Sequence, residues 1–287
     1  MEFLDLEQGS DLWKETRKRY ITSTDVAVIM NLSPFKTPYQ LYLEKMDLAP
    51  PQEVTERMKE GSRLEPIARE WFANKYNVNI KVGVVVFGIF MASLDGYFLN
   101  PVSGNYENIE IKCGVKSFRD AEDGVIADYY LAQIQQALHC TWLNKTTYIA
   151  FNGSEVVEIE VKRDQEFIDK MIPVCEEFYK CLMTFTPPPM TEKDYVQNDD
   201  PQVRASMERA LQYQKDIKNL ERLFEQEKEF LKSFAGQSSM KSGSGKITRI
   251  LRRGAIKYNE VEQLKGVDLE PHRSASIEVW RISNGET

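Results

Sequence analysis

Apolar residues recur near the helical period between Glu53 and Tyr76, at Met58, Leu64, Ile67, Ala68, Trp71 and Phe72, which predicts a long helix with Glu65 among its apolar positions. Residues 10–46 read as two helical stretches separated by NLSPFKTP, whose second proline suits a helix N-terminus. The period then changes. Between Asn79 and Asn152, β-branched runs in NIKVGVVVFG, FMASLDGYFL and YENIEIKC, divided by turn residues such as NPVSGN, predict three adjacent strands. An amphipathic helix in ADYYLAQIQQALHC comes next, followed by two strands in TTYIAFNGSEVVEIEVK joined across Asn152-Gly153.

This alternation predicts a mixed α/β core, a central mixed sheet flanked by helices. A helix from Gln165 to Phe185 completes it, because the prolines of TPPPMTEKD cannot continue a helix and mark a domain edge. Residues 201–235 form a charged helix with a thin apolar stripe at Leu211, Ile217, Leu220, Leu223 and Phe224. A flexible GQSSMKSGSGK linker leads to a last block that alternates like strands. Three parts are expected: a core at 1–190, a charged helical extension at 191–237 and a small β-rich unit at 238–287.

Composition narrows the chemistry. The chain has 287 residues, 42% of them hydrophobic, with a net charge of −7, which are ordinary globular values. The N-terminus, MEFLDLEQGSDLWK, has no signal-peptide pattern and no segment is long and apolar enough to span a bilayer, so a cytoplasmic address is expected. Cys113, Cys140, Cys175 and Cys181 show no C-x-x-C spacing and read as reduced core thiols. With only His139 and His272, neither a histidine-rich zinc site nor a histidine relay is supported. Carboxylates and lysines must carry any chemistry.

In Asn108-Ile109-Glu110-Ile111-Lys112 the two isoleucines face one side of a strand and Glu110 and Lys112 the other. A hairpin would bring Asp95, in SLDGYF, within reach of Glu110. Two acids so placed can hold Mg²⁺ through hard oxygen ligands. Spacing alone equally allows a surface ion pair without function.

Four stretches in order give more. RKRYITSTD, GSRLEP, SLDG with EIK, and YYLAQIQ together resemble the motifs of the lambda exonuclease and YqaJ-like viral recombinase family of PD-(D/E)XK nucleases, over residues 10–185. The resemblance implies a restriction-endonuclease-like core. It implies Asp95, Glu110 and the Ile111 backbone carbonyl as metal ligands, Lys112 beside the attacking water, and Glu65 and Gln133 completing the site near a possible second metal. Gln133 and Gln135 also read as exposed polar positions of their helix. Arg17, with Thr24 or Ser23, would bind a DNA 5′-phosphate. Here Thr22-Ser23-Thr24 stands where the family commonly has Gly-Gly-Ser, and the same residues through Asp25 also read as the cap of a helix beginning near Val26.

The function so implied is a Mg²⁺-dependent 5′-to-3′ exonuclease, with Mn²⁺ as a substitute metal. It would act on linear double-stranded DNA and leave 3′ single-stranded overhangs for phage-type recombination, in a bacterium or phage-infected host. A single-strand annealing protein is the implied partner and a trimeric ring the implied assembly. Two alternatives remain: a PD-(D/E)XK endonuclease of restriction or repair type, and a non-catalytic DNA-binding module. Six basic residues without an acid between Lys241 and Lys257 suit either a DNA-backbone contact or a solvated strand.

Overall fold

A computed structural model describes residues 1–50, 54–243 and 245–250. The chain divides into two compact units, Met1–Val196 and Gln197–Thr287. The first unit runs β1 (Glu2–Leu4), α1 (Asp11–Arg19), β2 (Ile21–Thr22), α2 (Ser23–Ile29), α3 (Pro38–Lys45), α4 (Glu56–Tyr76), β3 (Lys81–Phe87), β4 (Phe90–Leu99), β5 (Tyr106–Cys113), α5 (Val115–Glu122), α6 (Asp128–Thr141), β6 (Lys145–Phe151), β7 (Val156–Lys162) and α7 (Gln165–Met183).

One mixed sheet has the order β1-β3-β4-β5-β6-β7, with β2 added alongside β4. Neighbours are antiparallel except β5 with β6 and β2 with β4, which are parallel. A parallel pair needs a crossover, and α5 and α6 supply it between β5 and β6. On one side, Leu64, Ala68 and Phe72 of α4 pack on Phe98, Ile109, Ile111, Ile149 and Phe151. Elsewhere Ile134 and Leu138 of α6 pack on Tyr148 and Ala150, and α2, α6 and α7 share a larger apolar cluster.

Several expectations need correction. Residues 10–46 hold three helices, because Ile21-Thr22 forms a two-residue strand between α1 and α2. The elements β1, β2 and α5 are too short for periodicity to register. Helix α2 begins at Ser23, where the Asp25 carboxylate accepts the Thr22 N–H at 2.7 Å, rather than near Val26. Every residue of α6 from Ala132 to Thr141 is buried, so it is a central helix and not an amphipathic one.

In the second unit, α8 (Pro201–Ala235) has no buried residue. The expected flexible linker contains a small hairpin, β8 (Met240–Ser242) with β9 (Gly245–Ile247), entered through Gly243 at a φ of 54°. Residues beyond 250, including Arg252, Arg253, Lys257 and most of the expected β-rich unit, lie outside the described residues.

Candidate active site

The β4–β5 ladder ends at the Gly96–Ile109 pair. Beyond it the strands part, and the next residue of β4 is Asp95, whose Oδ2 accepts the Ile111 N–H at 2.8 Å. The carboxylate thus takes the place of a ladder carbonyl. Gly96 permits this closeness: a Cβ there would stand 2.6 Å from Ile80 Cγ2 and 2.8 Å from Ile109 Cδ1.

On β5, Lys112 Nζ donates to Glu110 Oε1 at 2.5 Å, with side-chain exposures of 21% and 13%. That burial is too deep for the solvated surface pair that spacing alone allows. Glu65 on α4 is held by Arg69 one helical turn on, and the Arg69 guanidinium also donates to the Asp95 carbonyl. Arg69 escaped the sequence reading, although its i,i+4 spacing from Glu65 was a usable signal.

Three carboxylates, Glu65, Asp95 and Glu110, therefore meet two cations, Arg69 and Lys112. The excess negative charge falls on Asp95. Burial first, then the charges of Glu110 and Glu65, push its carboxyl up to about 8 against the pull of Lys112 and the Ile111 N–H. Burial works to lower Lys112, but Glu110 and Asp95 outweigh it and hold the ammonium charged. Burial, with Glu65 and Asp95 behind it, pushes the neighbouring Cys113 thiol up to about 11. That makes it an inert thiol.

Helix α6 links this cluster to a second one. Lys112 Nζ stands 5.1 Å from the Tyr130 ring. Gln133, one turn on along the same face, is buried without a hydrogen bond to another side chain among the described residues. A further turn on, Gln136 Oε1 accepts the Ser23 hydroxyl at 2.5 Å, while its amide donates to the Ile21 and Met91 carbonyls. Gln135 is instead structural, tying the Lys162 carbonyl to the Asp164 N–H, and is not the exposed residue its helix pattern allowed.

Beside Ser23, Arg17 Nη2 donates to Thr24 Oγ1 at 3.2 Å and approaches Thr22 Oγ1 at 3.5 Å. Its guanidinium lies 4.4 Å from the Trp13 ring. Thr24, rather than Ser23, thus shares the guanidinium fork, because the Ser23 hydroxyl is committed to Gln136. Residues 12–144, which contain both clusters, match the family model described as the YqaJ-like viral recombinase domain.

This segment therefore resembles a YqaJ-like viral recombinase domain. The chain is also similar to the uncharacterised protein YqaJ of Bacillus subtilis strain 168, with 25% identity over 185 residues that cover 60% of this chain and 56% of that protein. Among solved structures it resembles an alkaline exonuclease from Laribacter hongkongensis, at a TM-score of 0.52 and 21% identity over 62% of this chain and 94% of that one. A structure of that exonuclease in complex with dAMP gives the same figures. These likenesses fix a shared fold.

Among the described residues no group of three His, Cys, Asp or Glu side chains stands close enough to enclose a metal ion. Glu65 and Glu110 are each turned onto a basic side chain. The donor set nevertheless suits a hard divalent cation: all its candidate side chains are carboxylates, and the charges of Glu110 and Glu65 push the Asp95 carboxyl up, a repulsion that a cation there would relieve. No helix among the described residues is long and apolar enough to cross a membrane.

Proposed function

We propose that this protein is a metal-dependent deoxyribonuclease that digests linear double-stranded DNA from a 5′ end in the 5′-to-3′ direction, leaving a 3′ single strand. The observation that carries this reading is that one helix, α6, runs from the acid cluster at Asp95, Glu110 and Lys112 to the Arg17–Thr24 fork, through Tyr130, Gln133 and Gln136. From Tyr130 to Gln136 the axial rise is about 9 Å, at about 1.5 Å per residue. A held end and a cut site would thus be a short stretch of backbone apart.

In this reading Asp95, Glu110, the Ile111 carbonyl and Glu65 hold Mg²⁺, with Mn²⁺ as a substitute. When bound, the metal supplies an acidified water and offsets charge on the phosphate. Lys112, kept charged, orients the attacking water and balances negative charge on the reacting phosphate; it does not act as a base. Gln133, buried with its amide uncommitted, positions the same water or a phosphate oxygen. Arg17 and Thr24 grip the 5′-phosphate, the fork donating two N–H groups and the hydroxyl a third. A trimeric ring around the duplex and a single-strand annealing protein as partner, serving phage-type recombination, extend the proposal.

The test is digestion of a 5′-phosphorylated linear duplex with Mg²⁺, against Glu110→Ala and against chelator. Release of mononucleotides by the wild type alone is expected. Cutting of covalently closed circles would replace the reading with an endonuclease, and binding without hydrolysis would leave a DNA-binding module.

A further inference from the structure

Phe35 stands on the loop between α2 and α3 with 75% of its surface exposed. It does not dangle, since its N–H donates to the Ser33 hydroxyl at 3.3 Å and Thr37 caps α3 two residues on. Its ring meets Tyr129 edge-on, with centroids 5.7 Å apart and planes at 79°. Tyr129 in turn lies 4.3 Å from Tyr130, and the Tyr130 ring faces Lys112 Nζ at 5.1 Å. Three rings form an unbroken row from open solvent to the ammonium of the acid cluster.

Cations border this row. Lys116 is exposed and pairs with Asp120 at 2.5 Å, with Tyr129 within its electrostatic reach. Arg57, also exposed, acts electrostatically on both Tyr130 and Lys116 and forms no ion pair among the described residues. Exposed rings interleaved with basic side chains suit a single nucleic-acid strand: the rings receive base faces whatever the sequence, and the cations track the phosphates. A purely apolar partner would leave Arg57 without use.

We propose that Phe35 and Tyr129 form a stacking platform for an unpaired nucleobase of the strand being cut, next to the phosphate at the acid cluster. The proposal rests on the nuclease reading above. The base would reach the platform once it has left the duplex, so stacking would hold open the end that is being digested. Continuity through Tyr130 to Lys112 assigns the base to the cut strand rather than to its complement.

The experiment uses the full chain and a 5′-phosphorylated duplex carrying 2-aminopurine at its 5′ end. Without metal, wild-type protein should quench the probe by stacking; with Mg²⁺ it should digest the same duplex. Phe35→Ala should lose the quenching and raise KM about tenfold, the scale of one lost base–ring contact, with an unchanged melting temperature. Phe35→Trp should restore both. Equal quenching and KM in wild type and Phe35→Ala would overturn the platform, as would full rescue by Phe35→Leu, which offers apolar surface without a ring. A wild type that digests no DNA would instead overturn the nuclease reading, and the metal-free quenching would still decide whether Phe35 stacks on a base.

Discussion

Lys45 Nζ lies 2.7 Å from Asp25 Oδ2, with both side chains under a tenth exposed, and donates as well to the carbonyls of Arg17 at 2.9 Å and Tyr20 at 2.7 Å. Asp25 also accepts the Thr22 N–H at 2.7 Å. One buried ion pair therefore pins the end of α1, which carries Arg17, to the start of α2, which carries Ser23 and Thr24. Lys45→Met should leave Asp25 uncompensated, destabilising the fold by about 3–5 kcal/mol, and should weaken preference for a 5′-phosphate over a 5′-hydroxyl. Denaturant melts and paired-substrate kinetics check both.

The same pair sets acid stability. Burial works to raise the Asp25 carboxyl, but Lys45 and then Arg17 outweigh it and hold it below its ordinary value. A lowered folded-state value means that the stabilisation is complete above the unfolded carboxylate range, about 3.9, and disappears as pH falls through the folded value. Melts from pH 6 down to 3 should show this loss in the wild type. Asp25→Asn should be less stable at pH 6 and show a shallower acid limb.

Asp95 carries the opposite sign. With its carboxyl up to about 8, the metal-free folded protein keeps a proton that the unfolded chain releases, so this group's contribution to stability falls as pH rises from the ordinary carboxylate range toward 8. Asp95→Asn should remove that slope and raise the metal-free melting temperature at pH 8 by about 2–4 °C, while abolishing DNA hydrolysis. Scanning calorimetry with chelator, beside the digestion assay, tests the pairing of gained stability with lost activity.

Gly96→Ala places a methyl against Ile80 and Ile109 in the space where Asp95 enters the gap between the strands. Overpacking there should cost about 1–3 kcal/mol and lower kcat by more than it raises KM, because the displaced group is Asp95 and not the phosphate fork. Ile109→Val in the same chain should recover part of both.

Ser23 and Thr24 separate by partner. Ser23→Ala leaves the buried Gln136 carbonyl without its donor and should cost about 1–3 kcal/mol of stability, with little change in 5′-phosphate preference. Thr24→Val and Arg17→Ala should reduce that preference with small effects on melting. A reversed pattern would assign the phosphate contact to Ser23.

The Ile109–Lys112 alternation was readable because a half-buried strand repeats every second residue, and the helix holding Glu65 because its apolar positions repeat near 3.6. Neither period reports neighbours far apart in the chain. Arg69 on the Asp95 carbonyl, Tyr130 beneath Lys112 and Lys45 beneath Arg17 depend on the sheet order and on where α6 crosses it. Nor does periodicity reveal a helix buried on every side over most of its length: the glutamines of α6 look like solvent-facing residues and give it an amphipathic pattern. Those glutamines serve the interior: Gln136 ties α2 to β4, and Gln135 ties β7 to α7.

Because Tyr130, Gln133 and Gln136 project from one unbroken helix, the separation between the fork and the acid cluster is set by helical pitch rather than by loops. In the proposed enzyme α6 acts as a ruler. Its stiffness would fix the length of each excised product, and a one-residue deletion between Tyr130 and Gln136 would put the two stations out of phase by about 100° of helical rotation.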